Sequence, residues 1–260
     1  MKKIIALALV LTLAFAFVAC GETPAVTEAP AVTTEAPVVT TEAPVVTTEA
    51  PVVTEEPAAA VMSYAEYAAA DLDTPVVVEA YVQAHQSWWD NKVTVYAADK
   101  DGAYFIYEMA CSEEDAALLT PGTKILVTGY KGAWAGEVEI MDATFEFAGD
   151  DTYVAEPVDL TDKLGTEELI NYQNQLASFK GMTVEAIEYK NGEPGDDIYV
   201  TVGFGGASYS FCVERYLTDP DTDVYKAVGE LKVGDVVDVE GFVYWYEGIN
   251  THITAVSAAQ

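Results

Sequence analysis

The feature that most limits the fold is a segment written twice. Residues 121–136, Pro-Gly-Thr-Lys-Ile-Leu-Val-Thr-Gly-Tyr-Lys-Gly-Ala-Trp-Ala-Gly, return as residues 233–248, Val-Gly-Asp-Val-Val-Asp-Val-Glu-Gly-Phe-Val-Tyr-Trp-Tyr-Glu-Gly. Gly122, Gly129 and Gly136 stand seven residues apart, and so do Gly234, Gly241 and Gly248. A strand pattern follows each copy, ending near Ala143 and Ala255, and Val78-Glu79-Ala80 upstream is echoed by Val184-Glu185-Ala186. A short insertion brings the copies into register. A repeat this long points to a duplicated domain rather than to a solenoid of short units.

Two regions precede the repeats. Met1-Lys2-Lys3 is a charged start, and Ile4 to Val18 is an apolar run too short to span a bilayer comfortably, which reads as a secretory signal. Residues 20–60 are low complexity, with Val-Thr-Thr-Glu-Ala-Pro-Val recurring at seven-residue spacing. Regular proline blocks a continuous helix and the glutamates repel one another, so a disordered, extended tether is expected. The organisation expected is a signal peptide over 1–19, a tether over 20–60, a first domain over 61–150, a linker over 151–162 and a second domain over 163–260.

The chain carries 12 basic and 43 acidic residues. Without Lys2, Lys3 and the seven glutamates before Ala60, 10 basic residues face 36 acidic ones. Such a field repels phosphate backbones and attracts cations or basic partners, so a nucleic-acid partner is not expected on charge. Aromatic and β-branched residues are too frequent for a wholly disordered chain.

In the first domain the pattern predicts a short helix at Tyr64–Ala70, then strands at Pro75–Ser87, Lys92–Ala98 and Ala103–Ala110. Asp99 to Gly102 is a hairpin signal. Ser112 is placed to cap a helix running to Leu119, and Pro121-Gly122 stops it. Strands at Lys124–Trp134 and Glu137–Phe147 follow. The second domain is expected to have a helix start at Thr166–Asn171, strands at Met182–Tyr189, Ile198–Phe204 and Ser208–Glu214, a helix at Asp221–Leu231, and strands at Asp235–Tyr246 and Thr251–Ser257.

Two resemblances follow from these residues. Phe17-Val18-Ala19-Cys20-Gly21 resembles a bacterial lipobox, which implies cleavage and lipid on Cys20, with Phe17 where leucine is usual. The order of three strands, a helix and two strands resembles the OB-fold, a five-stranded Greek-key barrel. Leu231-Lys-Val-Gly-Asp-Val-Val-Asp-Val-Glu-Gly-Phe242 is similar to the fourth strand of many OB domains. The fold class expected is therefore mainly β, with two tandem OB-like barrels that fold separately, each with a short helix between its third and fourth strands.

OB topology puts Trp88 and Trp89 in the loop between the first two strands and Trp134 in the loop between the last two. Those loops flank the usual OB binding face, where exposed aromatics stack on sugars, bases or side chains. The same residues can instead cap the barrel as core. The second repeat offers Tyr244, Trp245 and Tyr246, but its first loop, residues 191–197, has no aromatic. Asp219-Pro-Asp-Thr-Asp223 with Glu230 imitates a calcium loop, yet Val224 occupies the position that needs glycine, so an acidic loop before a capped helix is the reading adopted. Cys111 and Cys212 admit either an interdomain disulfide or two free, buried thiols. His85 and His252 lie in different repeats without a nucleophile motif, and Gly203-Phe-Gly-Gly206 sits in a hairpin, not before a helix. No cofactor, metal or catalytic set emerges. The expectation is a noncatalytic, lipid-anchored protein on the outer face of a Gram-positive-type cell membrane. It would bind a glycan or protein partner, with nucleic-acid or nucleotide binding as the alternative.

Overall fold

The computed structural model describes residues 60–259, so Cys20, the signal segment and most of the tether lie outside the described residues. The first half begins with helix α1 (Tyr64–Ala69). Ser63 and Glu66 form a reciprocal capping box at its start. At its other end the Lys131 ammonium donates to the carbonyl oxygens of Tyr67, Ala68 and Ala70 at 3.0, 2.8 and 2.7 Å. A cation on the last carbonyls of a helix offsets their partial negative charge. Burial pushes the Lys131 pKa down.

Strands β1 (Pro75–His85), β2 (Lys92–Ala98), β3 (Ala103–Ala110), β4 (Thr123–Trp134) and β5 (Glu137–Thr152) close a barrel in the order β1-β2-β3-β5-β4. Neighbours are antiparallel except β3 and β5, which pair in parallel at Phe105–Glu139 and Ile106–Ile140. Helix α2 (Glu113–Ala116) lies between β3 and β4. This order and helix position are those of the OB topology. Val76, Val78, Val93, Val95, Ile106, Ile125, Val127 and Ile140 fill the interior, with Tyr67 of α1 packed among them.

The second half opens with β6 (Val158–Asp159), two short 3-10 turns and β7 (Leu176–Tyr189). Then come β8 (Ile198–Phe204), β9 (Ala207–Val213), helix α3 (Asp223–Glu230), β10 (Val236–Phe242) and β11 (His252–Ala258). They form one sheet in the order β10-β11-β9-β8-β7-β6, in which β10 also pairs with β7. The contact of β9 with β11 is again parallel, at Cys212–His252. Phe179, Met182, Val200, Phe211, Val228 and Val239 form its core.

The duplicated glycines do matching jobs. Gly122 and Gly234 both take positive φ, +92° and +95°, in the turns that lead into β4 and β10. Gly129 and Gly241 sit where β4 and β10 approach the neighbouring strand too closely for a side chain. A Cβ would lie 2.7 Å from the Met141 carbonyl oxygen in one case and 2.3 Å from the His252 carbonyl oxygen in the other. Register shifts fall beside both glycines.

Several expected boundaries move. The helix over 112–119 contracts to Glu113–Ala116, because the next amides bond three residues back and turn buried Leu119 into the core. β5 runs on to Thr152 because long β4 keeps a partner throughout, pairing Thr123 with Thr152. β7 starts at Leu176 rather than Met182, since Ala177 and Phe179 pair with Gly241 and Val239 and are buried. The helix expected at 166–171 is a 3-10 turn over Glu167–Tyr172, for the Thr166 hydroxyl bonds back to Lys163 instead of capping forward. β10 stops at Phe242, leaving Tyr244–Tyr246 in a loop. Gly205 and Gly206 take positive φ in the β8–β9 hairpin, as the sequence reading placed them. Among the described residues no helix is long and apolar enough to cross a membrane.

Candidate functional site

The outer face of the first barrel is not left to water. Tyr96 on β2 and Phe105 on β3 are buried, and Tyr96 stacks on Phe242 of β10 with ring centres 4.2 Å apart and planes 6° from parallel. These three rings form a third core between the halves. Polar ties surround it. The Ser87 amide donates to Tyr216 O at 2.7 Å, Glu247 N to Ala135 O at 2.7 Å, and Gln173 Nε2 to Gly136 O at 2.6 Å. The Trp245 amide donates to Glu137 Oε2 at 2.8 Å. Glu137 is fully buried, and burial pushes its carboxyl up to about 8. Its Oε1 and the Asn174 Oδ1 have no hydrogen-bond partner among the described residues.

Beside this core the halves enclose a cleft of about 850 Å³, within the size range of small-molecule sites. The first half contributes Gln86, Phe105, Tyr107, Trp134, Glu139 and Met141. The second contributes Lys190, Asp197, Tyr199 and Glu214, with Tyr244, Tyr246, Asn250 and His252 from the β10–β11 region. Trp134 and Tyr246 are each about half exposed, with ring centres 5.1 Å apart, one from each half. Tyr244 stacks on His252 at 4.3 Å.

The charges in the cleft differ in their surroundings. Lys190 is taken up by Asp197 at 2.8 Å. Glu214 accepts from Gln86 Nε2 of the other half at 3.0 Å and from the amides of Tyr216 and Leu217, while burial raises its pKa. Glu139 is 6% exposed, and no side chain or amide among the described residues bonds its carboxyl. Burial is the cause that raises its pKa. His252 bonds the Tyr96 hydroxyl through Nδ1 at 2.9 Å, and burial pushes it down to about 4, so it is neutral at pH 7. Burial likewise holds the Cys212 thiol far above neutrality, and protonated. The arrangement can therefore stack, hydrogen-bond and pair charge; His252 is engaged with Tyr96, and Cys212 is no thiolate.

The expected aromatic residues separate into three groups. Trp88 packs against the first core and donates from its indole nitrogen to Cys111 O at 2.9 Å. Trp89 is 80% exposed but lies outside the cleft lining. Trp134 meets Tyr246, so the expected grouping with Trp88 and Trp89 gives way to a pair across the halves. Tyr244 and Tyr246 line the cleft, whereas Trp245 packs on the second core. Cys111 and Cys212 are free and buried. The Asp219 loop is a turn in which Asp219 accepts from the Asp221 amide, and Thr222 caps α3. Among the described residues no group of three or more His, Cys, Asp or Glu is placed to hold a metal ion.

Sequence reasoning missed Tyr96, Phe105, Tyr107 and Glu139, and weighed His252 only as a catalytic group. One signal was present: β2 is apolar on both faces, and a half-solvated antiparallel strand would alternate. That pattern asks for a second body over the barrel, although it does not say which one.

No family model matches the chain, and no curated protein does. Among solved structures, the chain is similar to a murine DNA-binding protein bound with double-stranded DNA, with a TM-score of 0.35 and 12% identity over 72% of this chain and 96% of the other. It is also similar to a HINa domain in complex with 20-bp double-stranded DNA, with a TM-score of 0.33 and 10% identity over 73% and 97%. A third is a HIN1 domain in complex with a 12-mer double-stranded DNA, with a TM-score of 0.31 and 11% identity over 72% and 93%. At these scores the likeness assigns no ligand to this chain. The double-stranded DNA named for all three neighbours conflicts with the charge-based expectation that a nucleic-acid partner is unlikely, and that expectation is withdrawn. Net charge is a sum over the whole surface, whereas binding depends on the potential of one face.

Proposed function

We propose that this chain is a noncatalytic binding protein whose ligand sits in the cleft between two OB-like halves. The repeat of strand order, parallel contact and helix position supports reading the second half as a second OB-like barrel. The observation that carries the functional reading is the cleft itself: an aromatic-lined cavity with walls from both halves, tied in place by backbone hydrogen bonds across them. Rigid aromatic walls stack on flat or CH-rich groups of a ligand at low entropic cost. An envelope location, with lipid on Cys20 and the tether giving reach, is part of the proposal and is supported by the sequence of residues 1–60.

The test is a ligand screen read by intrinsic fluorescence, with Trp134→Ala and Tyr246→Ala as controls. Binding that both variants lose, with unchanged thermal unfolding, is the expected result. Binding that survives both places the ligand elsewhere. Nucleic-acid or nucleotide binding is the second reading, favoured by the Trp134–Tyr246 pair, since a base stacks on such a platform as a sugar does. Fluorescence anisotropy with labelled single- and double-stranded DNA over a salt series separates the two. Salt-sensitive binding that Trp134→Ala abolishes selects the second.

A further inference from the structure

The surroundings of Glu139 narrow the ligand class. Glu139 sits on β5 beside Phe105 of β3 in the parallel pair, and its neighbours along the same face are Glu137 and Met141. It lines the cleft while being more than nine-tenths buried. Among the described residues no lysine or arginine forms an ion pair with it, and its carboxyl oxygens are not among the fully buried atoms that lack a partner, so they remain reachable from the cleft. The basic residue in the cleft, Lys190, is held by Asp197. A largely buried carboxylate that is open to a cleft and has no cation beside it favours a ligand of opposite charge. Around it the cleft is walled by Tyr107, Trp134, Tyr244 and Tyr246, whose ring faces attract cations.

We propose that the cleft holds a small organic cation of the alkylammonium class, with Glu139 as counter-ion and these four rings as the wall. This deepens the binding reading above and rests on it. A divalent metal needs several oxygen ligands converging, and among the described residues Glu139 does not converge with Asp197 and Glu214 into a group that could hold one. A neutral sugar could donate hydroxyls to Glu139 but would bring no opposite charge to offset the carboxylate. An organic ammonium meets both requirements: its positive charge pairs with the carboxylate, with N–H donation where the nitrogen carries hydrogen, while its methyl or methylene groups lie on the rings.

The experiment is calorimetric titration of the full chain with choline, with the uncharged carbon isostere of choline, with spermidine and with a neutral oligosaccharide. At least one of the two amines is expected to bind, the isostere to bind about tenfold more weakly or less than choline, and Glu139→Gln to weaken the amine by about tenfold or more. Glu139→Gln is close in shape and removes a buried charge, so its thermal unfolding is expected at or above that of the wild type. Tyr246→Leu, at a half-exposed position, gives a second variant that should weaken amine binding. Equal binding of choline and its isostere overturns the cation while leaving the cleft as a ligand site. So does oligosaccharide binding without amine binding. Amine binding that is unchanged in Glu139→Gln and Tyr246→Leu also overturns it. If no probe binds, the cation inference falls. If Trp134→Ala and Tyr246→Ala then leave binding in the fluorescence screen intact, the cleft reading falls with it.

Discussion

The Tyr96 hydroxyl stands 2.9 Å from Nδ1 of His252, joining β2 of the first half to β11 of the second across 156 residues of chain. Both side chains are buried, and the Tyr96 ring also lies flat on Phe242. One residue thus supplies a stacked apolar contact and a buried hydrogen bond to the opposite half. This alters the expectation of two barrels that fold separately, since each would expose these rings when alone.

Tyr96→Phe should keep the stack and leave His252 Nδ1 without its partner, costing about 1–3 kcal/mol. Tyr96→Ala should cost about 3–5 kcal/mol and uncouple the halves. Urea unfolding followed by fluorescence checks both. The wild type is expected to show one transition and Tyr96→Ala two. A single unchanged transition in Tyr96→Ala would show that the shared core does not couple them.

Stability should fall on both sides of a middle pH range. Burial lowers His252 from 6.5 to about 4, so the unfolded chain takes up a proton as pH drops below 6.5 and the folded protein does not until near 4. Its contribution is complete above 6.5 and is lost as pH falls toward 4. Glu137 acts in the opposite sense. Burial raises it from 4.5 to about 8, so the folded protein keeps a proton that the unfolded chain releases. That contribution is complete below 4.5 and is lost as pH rises through 8. Each slope is about 1.4 kcal/mol per pH unit within its window. Melting temperatures from acid to alkaline pH should show Glu137→Gln losing less stability than wild type at the alkaline end.

The tryptophans should respond according to their surroundings. Trp89→Ala is expected to change stability by under about 0.5 kcal/mol and to leave cleft binding intact, since its side chain is exposed and away from the lining. Trp88→Ala should cost on the order of 2–3 kcal/mol through lost packing and the lost bond to Cys111. Trp134→Ala should leave stability nearly unchanged and remove binding. Thermal unfolding and ligand titration on the three variants test the assignment, and a large loss of stability in Trp89→Ala would refute it.

Gly241→Ala should be far more damaging than its size suggests. The added Cβ would stand 2.3 Å from the His252 carbonyl oxygen, a backbone atom that cannot rotate away. A loss of about 1–3 kcal/mol is expected, with β10 and β11 forced apart beside the cleft. Gly192→Ala, where a Cβ would meet nothing within 4 Å, is the comparison. Its positive φ of +80° gives it a strain cost of its own, so the test is whether Gly241→Ala alone also weakens binding.

The local patterns were legible because their causes are local. The glycine repeat, the Ser112 cap, the Asp99–Gly102 turn and the alternation of the strands depend on residues a few positions apart, and they led to the barrel of the first half. The expected aromatic loop at Tyr244–Tyr246 also lies at the cleft. Tertiary structure decided the rest. Whether Trp88 or Trp134 faces solvent depends on which strand ends meet, which neither Ser87-Trp88-Trp89 nor Ala133-Trp134-Ala135 records in the sequence. Glu139 reads as one acid among 43. It lines a cleft together with second-half residues from Lys190 to His252, 51 to 113 positions away, and that shared cleft exists only once the second half packs over the first. Charge summed along the chain says nothing of where one carboxylate is desolvated, and that local desolvation is what selects a ligand.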